Sequence, residues 1–247
     1  MLRIVLPLLF GVLLSAASFS STKKVLNNEI YTGAFKQTFY ADCTYSGKGF
    51  DIQWSGCDYV PKKPFTSKGK HNDRTTRIEW EHVMPAENFG RQFSCWRDGD
   101  PECVYTGGKK KGERYKGRKC CEKVSHAFRE IEADPNNLVP SIGELNGDRS
   151  NYRYTQEEKN ENITGQYGNV PFLVDSKNRR VYVRDGIKGD IARKYFYMWD
   201  KYKLKYSESE ARMMIAWDKL DPVDENEAFI NKKIQNVFGY SNPYISR

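Results

Sequence analysis

Histidine is scarce in this chain, with His71, His82 and His126 the only three in 247 residues. Any imidazole chemistry must therefore rest on single residues and not on a histidine-rich tract. Long apolar runs are also lacking. The one sustained run, Ile4 to Leu14, is too short to span a bilayer, which excludes a membrane-spanning protein. The C-x2-C and H-x3-H spacings of structural zinc sites are missing, so a zinc framework is a poor reading of the cysteines. No internal repeat and no low-complexity linker divides the sequence, which leaves a single domain.

What is present points outward from the cell. Arg3, the apolar run and the small residues Ser15 to Ser18 have the order of a secretory leader. The leader is set at residues 1–18 and the domain at 19–247, giving a periplasmic or secreted product. Losing Arg3 with the leader reduces the formal charge from +8 to +7. A basic excess suits an anionic polymer, through phosphate neutralisation and counterion release. With 16 Tyr, 13 Phe and 5 Trp the chain has the means to bury a core and is not a disordered basic arm. Its six cysteines, Cys43, Cys57, Cys95, Cys103, Cys120 and Cys121, are even in number. In an exported chain they imply a disulfide framework whose connectivity stays open.

Hydrophobic patterning gives a mixed α+β chain that is helix-rich toward its C-terminus. Ile78, Trp80 and Val83 favour a strand, and the adjacent Glu81 and His82 sit at its end, before Pro85. Cys43 and Cys57 close a loop upstream, and 61–74 reads as a connector. The stretch 107–119 has five Lys, two Arg and one Glu, a net +6, and its glycines permit close backbone approach to a ligand. Val124 to Ala133 has helical spacing ended by Asp134-Pro135. Asn137 to Pro140 is extended, and Ser141 with Glu144 has the form of a capping box, so a helix presenting Asn146 should begin there. Strands are expected over 170–174 and 180–183, and helices around 191–202, after Ser207, and over 225–238 with Gly239 as stop.

A strand ending in Glu81-His82, a second strand and a capped helix bearing Asn146 can aim a carboxylate, an imidazole and an amide at one point. Glutamate and asparagine oxygens are hard ligands suited to Mg²⁺, leaving coordination positions for phosphate oxygens. A neutral histidine beside them can take a proton from water near neutral pH. An arginine from the basic stretch can clamp the same phosphate. Together these roles amount to metal-assisted phosphodiester hydrolysis.

The same residues carry a resemblance. The segments 79–86, 117–120 and 134–151, together with 189–198 and Asn242-Pro243-Tyr244, look like those of bacterial endonuclease I, a His-Me finger family with a ββα-metal motif. The match runs from about residue 20 to the end. The resemblance implies His82 as general base, Glu81 and Asn146 as ligands of one Mg²⁺ ion (Mn²⁺ or Ca²⁺ as substitutes), and Arg118 as the phosphate-stabilising arginine. It also implies Glu132 as the residue orienting the histidine. Arg97 and Arg91 are the alternatives for the arginine and Asn137 for the amide. Arg74, Arg77, Lys109, Lys110 and Arg149 are expected to contact nucleic acid, with fastening of the active-site helix the alternative for Arg149. The implied activity is sequence-nonspecific cleavage of double- and single-stranded DNA, and of RNA in many members, by a monomer that leaves 5′-phosphates. Two other classes remain in view: a secreted protein that only coats anionic polymers, and a disulfide-rich structural protein. The first leaves Glu81, His82 and Asn146 without a purpose, and so does the second.

Overall fold

The computed structural model describes residues 18–156 and 162–246, so the expected leader, apart from Ser18, lies outside the described residues. Ser18 caps α1 (Phe19–Val25), its hydroxyl accepting from the Ser21 N–H at 3.1 Å. A wider helical turn over Leu26–Ile30 follows. Next comes a small hairpin of β1 (Thr44–Ser46) and β2 (Gln53–Ser55), closed by the Cys43–Cys57 bridge. β3 (Ile78–His82) leads into the short helices α2 (Ala86–Gly90) and α3 (Ser94–Arg97), then the basic loop. Beyond the loop are α4 (Arg118–Val124), α5 (His126–Glu132), β4 (Leu138–Ile142) and α6 (Gly143–Arg149). β5 (Arg153–Tyr154), β6 (Gln166–Asn169), β7 (Phe172–Asp175) and β8 (Arg180–Val183) precede the C-terminal helices α7 (Lys188–Tyr202), α8 (Glu208–Leu220) and α9 (Glu225–Phe238).

The unit that matters for function is β3–β4–α6. β3 and β4 pair antiparallel, with His82 opposite Leu138 and Glu81 opposite Val139. Since side chains alternate across a strand, Glu79 and Glu81 face α6, while Trp80 and His82 face α1 and the turn after it. β4 is buried along its whole length, so its register against β3 is fixed by the core. The core runs continuously from Val83 and Phe89 through Phe128 and Leu145 to Ile191, Met198 and Trp217. A satellite of Leu26, Ile30, Tyr31, Leu138 and Ile234 fastens the N-terminal segment to β4 and α9.

Buried Arg193 knits the C-terminal helices. Its guanidinium donates to Glu227 Oε1 at 2.9 Å, Asp218 at 3.2 Å, Asp190 at 3.1 Å and the Asp221 carbonyl at 2.8 Å. Cys95–Cys121 and Cys103–Cys120 pin the base of the basic loop to the start of α4, so the six cysteines form three bridges.

Local structure departs from expectation in two places. Ser141 does not cap α6: it belongs to β4, its hydroxyl donates to the Ile142 carbonyl at 3.2 Å, and the helix starts at Gly143 without a side-chain cap. Glu144 is used elsewhere, accepting from Tyr59 at 2.8 Å and from the N–H groups of Lys62 and Lys63 at 3.1 and 2.7 Å. The Val124–Ala133 helix is also split. Ser125 takes extended torsions, ends α4 and caps α5 through the Phe128 N–H at 3.2 Å. The serine hydroxyl competes for backbone partners, which is why the 3.6-residue period alone did not show the break. The expected strands pair as β7 and β8. α9 covers the expected residues, and Gly239 stops it at φ +78°.

Candidate active site

An open cleft of about 540 Å³ lies against the ββα unit, lined by Glu79, Glu81, His82, Arg118, Asn146 and Arg149, with Phe19 and Lys23 of α1 on one side. A larger hollow of about 690 Å³ beside α7 and α8 is lined by Trp199, Asp200, Lys203 and Asp218 and by none of the β3, α4 or α6 residues.

His82 is 7 % exposed. Its Nε2 lies 2.8 Å from the Glu132 carbonyl oxygen. A carbonyl can only accept, so Nε2 carries the proton and the lone pair is on Nδ1. Burial pushes the imidazole pKa down to about 3, and the positive charges of Arg118, Arg149 and Lys23 push the same way; the bond to the Glu132 carbonyl opposes them. The ring is neutral at physiological pH, the form that can accept a proton. Phe19 lies on it at 4.8 Å between ring centroids and Phe89 at 6.1 Å.

Glu81 is 4 % exposed. Its Oε1 accepts from the Tyr40 hydroxyl and from Arg149 Nη1, both at 2.8 Å. Burial raises its pKa, while the Arg149 charge and the two hydrogen bonds pull it back toward the ionised form. Asn146 projects from the second turn of α6, its Nδ2 donating to Glu79 Oε2 at 3.1 Å. With Nδ2 directed at Glu79, the amide oxygen is the atom left to a ligand. A carboxylate oxygen and an amide oxygen, on facing elements of one cleft, are a donor pair of the kind a hard divalent cation takes.

Arg118 opens α4 behind Gly117, whose φ of +83° suits glycine. Its Nε donates to Glu132 Oε1 at 2.5 Å and to Glu122 Oε1 at 3.1 Å. Glu132 therefore serves two groups: its carboxylate fixes Arg118, and its main-chain oxygen fixes His82. That the Glu132 backbone, and not its side chain, holds the histidine is a tertiary contact which no local pattern announces.

The other expected residues are placed differently. Arg149 is fully buried and cannot reach a polymer. Besides Glu81 it donates to the carbonyls of His82 at 2.9 Å and Val83 at 2.8 Å, so it ties the end of α6 to the end of β3. This corrects the reading of Arg149 as a nucleic-acid contact: the end of a buried helix points it at the strand. Arg74 donates to Glu79 at 3.0 and 2.5 Å and Arg77 to the same carboxylate at 2.8 Å, so both are ion-paired at the rim of the unit. Lys109 and Lys110 stand exposed in the basic loop, outside the cleft lining. Asn137 is buried and clasps Met84, accepting from its N–H at 2.7 Å and donating to its carbonyl at 3.0 Å, which makes it a staple and leaves the amide role to Asn146. Arg91 pairs with Glu87, and Arg97 donates to the Arg91 carbonyl at 2.8 Å. Neither lines the cleft.

Tyr40, Glu79, Phe19 and Lys23 were not anticipated. Glu79 was legible, since period-two alternation sets it on the same face as Glu81. Tyr40 reaches Glu81 across 41 positions of sequence, and no local pattern announces such a contact.

Comparison with known proteins gives the family to which the chain is similar. Residues 18–247 match the family model described as Endonuclease I. An extracellular deoxyribonuclease of Aeromonas hydrophila is 37 % identical, covering all of this chain and 99 % of the relative. A periplasmic deoxyribonuclease of the same organism is 38 % identical over 85 % of this chain and 78 % of its own. Endonuclease-1 of Buchnera aphidicola (subspecies Acyrthosiphon pisum) is 37 % identical over 90 % of this chain and 78 % of its own.

Proposed function

The chain belongs to the endonuclease I family, and we propose that it is an exported, Mg²⁺-assisted endonuclease that hydrolyses DNA without regard to sequence. The names of its relatives, extracellular and periplasmic deoxyribonuclease, support export and a DNA substrate. Among the described residues, no helix is long and apolar enough to cross a membrane. The observation that carries the reading is the tautomer of His82. Its proton is fixed on Nε2 by the Glu132 carbonyl, so a neutral Nδ1 is available as a base in the cleft shared by Glu81, Asn146 and Arg118.

In this reading Nδ1 takes a proton from a water molecule as its oxygen attacks phosphorus. General-base catalysis of this kind contributes roughly 10²–10⁴-fold. The bond from phosphorus to the 3′ oxygen breaks and that oxygen takes up a proton, leaving a 5′-phosphate and a 3′-hydroxyl. Glu81 and Asn146 are the residues that would hold the ion, and when bound it supplies positive charge to the phosphate and to the departing oxygen. Tyr40 and Arg149 keep the Glu81 carboxylate ionised and aimed. Arg118 uses Nε on Glu132 and Glu122, which leaves its outer nitrogens for a phosphate oxygen. Sequence indifference follows if contacts go to phosphates and sugars and not to base edges.

The test is plasmid nicking in Mg²⁺ and in EDTA, followed by DNA ligase on the nicked product. The reading expects Mg²⁺-dependent nicks that ligase reseals, because resealing needs a 5′-phosphate beside a 3′-hydroxyl. Nicking undiminished in EDTA, or nicks that ligase cannot close, would count against it. A structured RNA in the same assay decides whether RNA is also a substrate.

A further inference from the structure

The cleft has a wall that the ββα unit does not supply. Phe19, the first residue of α1, packs its ring against that of His82, 4.8 Å between centroids and tilted by 35°. Lys23, one turn on and on the same helix face, puts its Nζ 4.5 Å from the Phe19 ring centroid. The Arg118 guanidinium carbon lies 5.3 Å from that centroid. One half-exposed phenyl ring thus touches the imidazole and two cations, all bordering the same cleft.

We propose that α1 is part of the active site, with Phe19 a positioning residue for His82 and Lys23 a contact to a phosphate flanking the scissile one. The inference rests on the nuclease reading above. Nε2 lies at the far end of the imidazole from Cβ, close to the axis about which the ring turns. The Glu132 carbonyl holds that atom, and contact against the ring adds a second restraint on the rotation. The Phe19 ring, tilted by 35° against the imidazole at 4.8 Å, supplies such a contact, with Phe89 packed at 6.1 Å, and so restricts the direction of the Nδ1 lone pair. The ring also offers its negative face to Lys23 and Arg118, which holds both cations at the cleft without neutralising them. Lys23 reaches no carboxylate that would spend its charge on an ion pair within the salt bridges of the described residues, so the charge is available to the DNA backbone. The N-terminal segment is fastened chiefly by Leu26 and Ile30, both fully buried. Phe19 packs partly buried at the edge of that satellite core and also lies against His82, so one ring both anchors α1 and aims the imidazole.

The experiment is steady-state nicking by wild type, Phe19→Ala, Phe19→Leu, Phe19→Tyr and Lys23→Gln, with thermal unfolding of each. Phe19→Ala should lower kcat by ~10-fold or more at little change in KM, as expected when a reacting group is misaimed. Phe19→Tyr, which keeps the ring, should restore it. Phe19→Leu fills the volume without the flat face and should resemble the alanine; it decides the matter if the alanine variant does not fold. Lys23→Gln should mainly raise KM, and should flatten the dependence of log affinity on log salt by about 0.9, one phosphate contact. Folded Phe19→Leu with wild-type kcat would overturn the positioning role, and an unchanged salt slope in Lys23→Gln would overturn the phosphate contact. A wild type that does not nick at all sinks the nuclease reading instead, so the two failures are distinguishable.

Discussion

At the scale of single residues, the site is a set of constraints converging on one imidazole and one carboxylate. Arg149 matters most among the supports. A buried guanidinium that loses its partners, or partners that lose it, leaves uncompensated polar groups in the interior. Arg149→Ala should therefore destabilise the fold by ~3–5 kcal/mol, read as a lowered urea midpoint, and should abolish nicking along with it. His82 makes a prediction about acid. Its folded pKa of about 3 lies below the ordinary 6.5, so between those values the unfolded chain binds the proton and the folded chain does not. Stability must then fall as pH is lowered through that window, by up to ~1.4 kcal/mol per pH unit from this group. Unfolding curves at pH 6.5, 5.5 and 4.5 should show the slope in wild type and a shallower one in His82→Gln. Equal slopes would mean that the imidazole is not held neutral.

At the scale of elements, the short-range signals in the sequence were sound and the long-range ones were absent. The end of α9 at Gly239 and the start of α8 at Ser207 follow from residues within one turn of the boundary, and both were readable. The entry into α6 departs from the capping pattern of Ser141 and Glu144 because Ser141 is taken into the β3–β4 ladder and Glu144 into bonds from Tyr59, Lys62 and Lys63, which no local pattern records. The ββα unit itself was legible, since Glu81-His82 and Asn146 fall on elements with clear periodicity. The placement of Arg149, 66 to 68 residues from its partners Val83, His82 and Glu81, was not. Two predictions belong here. Adding a Cβ at Gly189 brings it within 1.9 Å of the Asp221 carbonyl, against the Arg193 network. Gly189→Ala should therefore lower the melting temperature by an overpacking cost of ~1–3 kcal/mol while leaving the active-site residues in place. Cys103–Cys120 closes a loop of 17 residues in sequence separation, and Arg118 sits two residues before Cys120. Replacing both cysteines with serine should cost ~2–4 kcal/mol and lower kcat as well, because the element that presents Arg118 loses an anchor. Loss of stability with kcat intact would show that Cys95–Cys121 and packing hold Arg118 in place without this bridge.

At the scale of the whole molecule, a ββα unit and a helical C-terminal half share one continuous core, a satellite cluster fastens the N-terminal helix to them, and the cleft lies where that helix meets the ββα unit. The formal +8 charge and the +6 loop do not build that cleft. They bias an anionic polymer toward it, and the basic residues at the rim, Arg74 and Arg77, are already committed to Glu79. Composition thus announced the class of partner, while the chemistry came from a handful of buried groups. The decisive experiment is plasmid nicking in Mg²⁺ by wild type and His82→Ala, each first shown to be folded and to shift DNA on a gel. If His82 is the base, the alanine variant binds DNA as wild type does and nicks it slower by ~10²-fold or more. A folded His82→Ala that nicks at the wild-type rate would contradict it.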